Sequence, residues 1–171
     1  MQTEPANRKV LCVCTRDTSR APMISFVLSQ YLATCGMNDV EIKSAGVRPN
    51  CGGQPANEMA TECMVMEGEK YGDFMRNHES TFIDDLVLGN YDFFIVADRK
   101  VRKELLEMRP AINLETIHVI GGSKGIMDPF GLGARAYQVC LVQIKTAMPA
   151  IADFVSRGIL DVAVSAELVH V

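Results

Sequence analysis

Cys14 and Arg20, six residues apart, bracket the polar segment "TRDTS" between an apolar run, "KVLCVC", and an amphipathic stretch that begins near Pro22. The spacing recurs by chance in ordinary chains, so its weight depends on where the segment sits. A loop that joins a strand end to a helix N-terminus turns several backbone N–H groups inward, and those groups and the helix dipole favour an anion. An arginine at the helix start can grip two phosphate oxygens at once. The same field favours a thiolate on Cys14. A thiolate under a phosphorus atom held by amides and a guanidinium is a device for phosphoryl transfer. Asp128, in the Gly-rich loop "SKGIMDPFGLGAR", could supply a proton to a leaving group if that loop lies at the same edge. Asp-Pro also reads simply as a turn.

The positioning elements follow from hydrophobic periodicity. "KVLCVC" (9–14) reads as a strand buried on both faces, and "VEIKSAG" (40–46) alternates as a second. "YDFFIVA" (91–97) and "ETIHVIGG" (115–122) supply a third and a fourth. Helices are expected from Pro22 to a stop at Gly36, over 54–72 opening at Pro55, briefly around 83–88, over 99–109 and from about Ala136 to Arg157. The tail "GILDVAVSAELVHV" could add a strand or an extended end. Four strands alternating with helices predict an α/β fold: a single-domain four-stranded parallel sheet with helices on both faces. Ligands of such sheets bind at the carboxyl ends of the strands, where the loop after the first strand lies.

Composition bounds the partners. At 171 residues the chain suits one domain (1–171), with 1–8 and 158–171 as peripheral extensions. A net charge of −4 without a Lys/Arg cluster argues against a nucleic-acid surface. The N-terminus "MQTEPANRK" lacks an apolar signal core, and no stretch reads as about 20 apolar residues of a membrane span, so a cytoplasmic protein is expected. The six cysteines lie at irregular spacings and are expected to be reduced structural thiols apart from Cys14. No metal or organic cofactor is expected. Cys12 and Cys14 are expected to face apart, and no Cys/His pair completes a tetrahedral zinc set.

"VCTRDTSRAP" resembles the active-site loop of low-molecular-weight protein tyrosine phosphatases, V-C-x-G-N-x-C-R-S-P. In the same order, "SAG" (44–46), "GQPANEMA" (53–60), "NHES" (77–80), "VADRKVRKEL" (96–105) and "MDPFG" (127–131) resemble further family motifs, over about residues 9 to 155. The resemblance implies hydrolysis of phosphotyrosine proteins or small aryl phosphates in two steps. Cys14 would attack phosphorus. The loop Thr15, Arg16, Asp17, Thr18, Ser19 and Arg20 would hold the equatorial oxygens. Asp128 would protonate the leaving phenolate and then activate water. It also implies a supporting network of Asp17, Ser44 and His78, and a substrate slot involving Phe130 and Asn50.

The loop departs from the family pattern at four positions. Arg16 replaces Gly, Asp17 replaces Asn, Ser19 replaces the second Cys and Ala21 replaces Ser. The resemblance places the Asn in a left-handed conformation, which Asp17 also tolerates. Asp17 is expected to pair with a protonated His78 and to leave Cys14 a less stabilised thiolate, giving a slower phosphatase. Arg16 is either a rim cation for acidic substrates or a solvated charge. Two alternatives stay open: a degenerate phosphate- or phosphoprotein-binding module, and an arsenate reductase, which would need resolving cysteines where none occurs between Cys63 and Cys140. Sequence leaves the oligomeric state open.

Overall fold

The computed structural model describes residues 7–168, and the side chains of residues 7–157. Four parallel strands form one sheet: β1 (Arg8–Cys14), β2 (Val40–Gly46), β3 (Phe93–Val96) and β4 (Ile117–Val119), in spatial order β2-β1-β3-β4. β1 is central, and Val10, Leu11, Cys12 and Val13 are fully buried, which explains why its apolar run does not alternate. Val10, Cys12 and Cys14 join one core with α1 (Arg20–Thr34) and α5 (Ala134–Leu168). Leu11 and Val13 join a second core with Phe94, Val96 and the buried stripe Val101 and Leu105 of α4 (Arg99–Met108). Helices therefore cover both faces, as the strand–helix alternation predicts.

The structure departs from two expectations. Cys12 and Cys14 share one face, because side chains two apart in a pleated strand point the same way. Over 158–168 the tail is neither strand nor extended end, because helix α5 continues to Leu168 past Pro149; the expectation for 169–171 lies outside the described residues. Its inner stripe, from Tyr137 and Cys140 through Ile144, Met148 and Ile151 to Val155, is buried at helical spacing. The segment Ala134–Arg157 is long and apolar enough, by length and composition, to cross a membrane, which the sequence reading did not anticipate. That stripe packs it against α1 and α2 instead.

Local chemistry sets the element ends. α1 stops at Gly36 (φ +76), where the Met37 N–H reaches the Leu32 carbonyl and the Gly36 N–H that of Ala33. The helix expected over 54–72 divides into α2 (Glu58–Val65) and α3 (Glu69–Asn77). Gly68, at φ +147, breaks it, and α2 is capped by Asn57, whose Oδ1 accepts from the Met59 and Ala60 N–H groups. Only short 3-10 turns form over Ile83–Asp85 and Leu88–Asn90. β3 and β4 are shorter than their apolar runs because their ends leave the ladder for the loops that carry the site.

Candidate active site

The carboxyl ends of β1, β3 and β4 converge on a cavity of about 200 Å³ whose walls include Cys14, Arg20, Asp128 and Phe130. Cys14 ends β1 and is 3% exposed, and its Sγ accepts the Asp17 N–H at 3.2 Å. Asp17 makes this possible by turning to φ +58, the left-handed conformation expected of it. The loop is strapped from β2, since the Val47 N–H donates to the Cys14 carbonyl (3.0 Å) and that of Arg48 to the Thr15 carbonyl (2.9 Å). On the other side the Asn57 N–H donates to the Thr18 carbonyl at 2.8 Å. Gly46 ends β2 so close to the loop that a Cβ there would lie 2.7 Å from the Arg16 carbonyl carbon. This close approach is the physical content of the "SAG" motif. Ser19 sits at the N-cap of α1 without a side-chain capping bond, which leaves first-turn N–H groups of α1 for an anion.

Arg20 is fixed before any ligand arrives. It is 2% exposed; its Nη1 donates to Asp98 Oδ2 at 2.6 Å and to the Ile126 carbonyl at 2.9 Å. Nη2 lies 3.3 Å from Thr15 Oγ1 and 3.6 Å from Asp128 Oδ2, turned toward the cavity. Burial works against its charge, but Asp98, Cys14 and Asp128 outweigh that and raise its pKa above the ordinary arginine value. Asp98 also caps α4, accepting the Val101 N–H on Oδ1 at 2.8 Å. One carboxylate thus starts a helix and aims a guanidinium. The Asp98 role was missed in the sequence, although its N-cap position was legible at the head of "DRKVRKEL". Arg48 and Lys100 on the cavity wall were missed too, because neither belongs to the chemical motif.

Beneath the loop lies a strained charge arrangement. Asp17 is wholly buried; Oδ2 accepts the Thr81 N–H at 2.9 Å, whereas Oδ1 has no hydrogen-bond partner among the described residues. His78 Nε2 does not bond that carboxylate directly. It donates to the Asp17 main-chain carbonyl at 2.7 Å and stands 3.6 Å from Oδ1, so the expected side-chain pair is replaced by a backbone bond with a looser ion contact. Ser44 is near enough to favour the ionised carboxyl but outside hydrogen-bond geometry to Oδ1. Burial pushes the Asp17 carboxyl up to about 6, against the opposing pull of His78, Ser44 and the Thr81 N–H. Cys14 feels the consequence. Its thiol is pushed up to about 11, first by burial and then by Asp17, with Arg20 and the Ala21 and Asp17 N–H groups pulling the other way.

The remaining residues divide. Thr15, Arg16, Thr18 and Ser19 line the cavity with Cys14 and Arg20. Phe130 forms its aromatic wall, under the Arg16 guanidinium at 4.9 Å from the ring centroid. Asp128 is half-exposed at the rim and accepts the Phe130 N–H on Oδ1 at 3.1 Å. Asn50 does not enter this cavity. It turns at φ +62 into a neighbouring groove, so the expected slot keeps only Phe130.

Residues 9–159 match the model of the low molecular weight phosphotyrosine protein phosphatases. The chain belongs to that family. Solved structures agree on the fold of this phosphatase. A low molecular weight protein tyrosine phosphatase from T. tengcongensis is 26% identical, with 85% of this chain and 98% of that one covered at a TM-score of 0.73. Wzb of Vibrio vulnificus, determined with benzylphosphonate, is 23% identical over 86% and 98% of the two chains (TM-score 0.73). A protein tyrosine phosphatase of Entamoeba histolytica is 18% identical over 88% and 98%, with a TM-score of 0.77. The YwlE arginine phosphatase of Geobacillus stearothermophilus is 22% identical over 90% and 96% (TM-score 0.72). No curated protein sequence matches the chain.

Proposed function

We propose that this phosphatase hydrolyses phosphotyrosine-type aryl phosphomonoesters on Cys14, through a thiolate that is scarce in the resting enzyme. The observation that carries the reading is the preset Arg20, locked by Asp98 and Ile126 with Nη2 toward the cavity that holds the Cys14 sulfur. In the first step the Cys14 sulfur attacks phosphorus, the bond to the aryl oxygen breaks, and Asp128 in its acid form gives that oxygen its proton. In the second step water attacks the cysteinyl-phosphate, Asp128 takes the water proton, and the P–S bond breaks to return the thiolate. Arg20 Nη2 and the amides of residues 15–20 hold the equatorial oxygens throughout.

A thiol pushed up to about 11 leaves about one molecule in ten thousand ionised at pH 7. Asp17, the one loop departure that adds to this rise after burial, is expected to slow the enzyme. The test is p-nitrophenyl phosphate hydrolysis by the wild type and Cys14→Ser. Turnover lost in Cys14→Ser, with a burst of p-nitrophenol in the wild type, supports the reading. Phosphate binding without turnover in the wild type would identify a domain that only holds phosphate.

A further inference from the structure

Beside the catalytic cavity runs a groove of about 780 Å³, and Arg16, Thr18 and Arg48 belong to the walls of both. Asn50, Gln54 and Asn57 line its other side, and Glu58 is its single acidic wall residue. Neither Arg16 nor Arg48 has an ion-pair partner among the described residues; Lys100, on the cavity wall, has Glu104 4.0 Å away. In a protein of net charge −4, Arg16, Arg48 and Lys100 gather at the mouth of one site. The phosphate does not require them. The loop amides and Arg20 already face the cavity floor, and Arg20 is held by Asp98 rather than by the rim.

We propose that the groove bordered by Arg16 and Arg48 is a second anion subsite, which reads an acidic side chain adjacent to the phosphorylated residue of a peptide substrate. This rests on the phosphatase reading for what occupies the cavity. A phosphotyrosine reaching the cavity floor leaves its main chain at the mouth, so its neighbours in sequence cross the wall that carries Arg16 and Arg48. A carboxylate there meets two cations; a lysine meets repulsion. The amides of Asn50 and Gln54 offer the groove neutral polar contacts, while the Asn57 side chain is already committed to capping α2. Arg16, which stands where the family pattern has glycine, gives this chain a rim cation that pattern lacks. Arg16 also rests over Phe130, which positions the cation at the boundary of the two spaces.

The experiment compares kcat/KM for three phosphotyrosine peptides identical except for Glu, Ala or Lys on both sides of the phosphotyrosine, at low and at high salt. The expected order is Glu over Ala over Lys, with about a three- to ten-fold Glu-over-Lys preference at low salt that shrinks at high salt. Arg48→Glu, an exposed reversal that leaves the core untouched, should bring the ratio to one or invert it, and Arg16→Ala should reduce it. A wild-type ratio near one, in an enzyme that turns over p-nitrophenyl phosphate, overturns the subsite and leaves the phosphatase reading intact. If the wild type hydrolyses none of these compounds, the phosphatase reading fails instead. Dissociation constants of the same peptides for Cys14→Ser then read the subsite separately: equal affinities overturn it, and a Glu preference abolished in the Arg48→Glu background supports it.

Discussion

Asp17→Asn is the most informative single change. It keeps the size and left-handed tolerance of residue 17, keeps an acceptor for the Thr81 N–H, and offers an amide donor where Oδ1 now lacks a partner. It removes the buried carboxylate that raises the Cys14 pKa. The Asp17 amide nitrogen is 3.2 Å from the sulfur, which places the carboxylate on the order of 6 Å away. At an effective dielectric of about 20, a unit charge at that distance is worth about 3 kcal/mol, or about two pKa units. The Cys14 thiol should therefore fall from about 11 toward about 9, with a thiolate fraction and kcat/KM at pH 7 some ten- to a hundred-fold higher. The assay is the pH dependence of iodoacetamide alkylation, resolved by peptide mass because Cys35 is an exposed free thiol. Stability gives an independent reading. The Asp17 carboxyl is raised to about 6, so the native state retains a proton that the unfolded chain has released between the usual carboxylate range and pH 6. Native stability thus falls as pH rises across that window, and Asp17→Asn should gain about 3 kcal/mol at pH 7 while losing that slope. A variant with an unchanged alkylation profile and unchanged urea midpoint at pH 7 would refute the electrostatic argument.

Two further outcomes test the machinery around the loop. Asp128→Asn should lower kcat for phenyl phosphate about a hundred-fold or more but spare p-nitrophenyl phosphate, whose leaving group needs less protonation; an equal loss on both removes Asp128 as the acid. Gly125→Ala forces φ +71 on a side chain and sets a Cβ 2.5 Å from the Asp98 Cα, so it should cost more than about 2 kcal/mol and several degrees of Tm, with kcat/KM falling as Asp98 and the Ile126 carbonyl move off Arg20; an unchanged melt would show that this loop does not set the guanidinium.

The strand pattern was legible because each strand is a separate apolar run with its own burial, and β2 ends on the residues expected of it, Val40 and Gly46. Cys14 and Arg20 could be named because strand–loop–helix order fixes which edge a loop occupies; Asp128 needed the family resemblance as well, since Asp-Pro alone reads as a turn. What sequence hid were relations between elements. Nothing local in "VADRK" says that Asp98, besides capping α4, reaches a guanidinium 78 positions earlier in the chain. Asn50 was expected in the slot from the family resemblance alone; it lines the adjoining groove, with φ +62. The tail misled for another reason: its alternation of apolar and small residues suits a strand as well as a helix, and only continuity with α5 decides between them.

The site invests its order in the cation rather than in the nucleophile. Arg20 is buried and doubly anchored through Nη1, while the sulfur it faces is supported by the Asp17 and Ala21 N–H groups but has burial and a buried carboxylate working against its ionisation. Asp98 lies 2.6 Å from the guanidinium and Asp128 holds a looser contact at 3.6 Å. A phosphate dianion held by Nη2 would displace the looser Asp128 contact and leave the Asp98 bond on Nη1 intact. Selection for substrate then falls to the groups that Arg20 does not occupy, Arg16 and Arg48 at the mouth, because the energetics of the floor are the same for every phosphomonoester that reaches it.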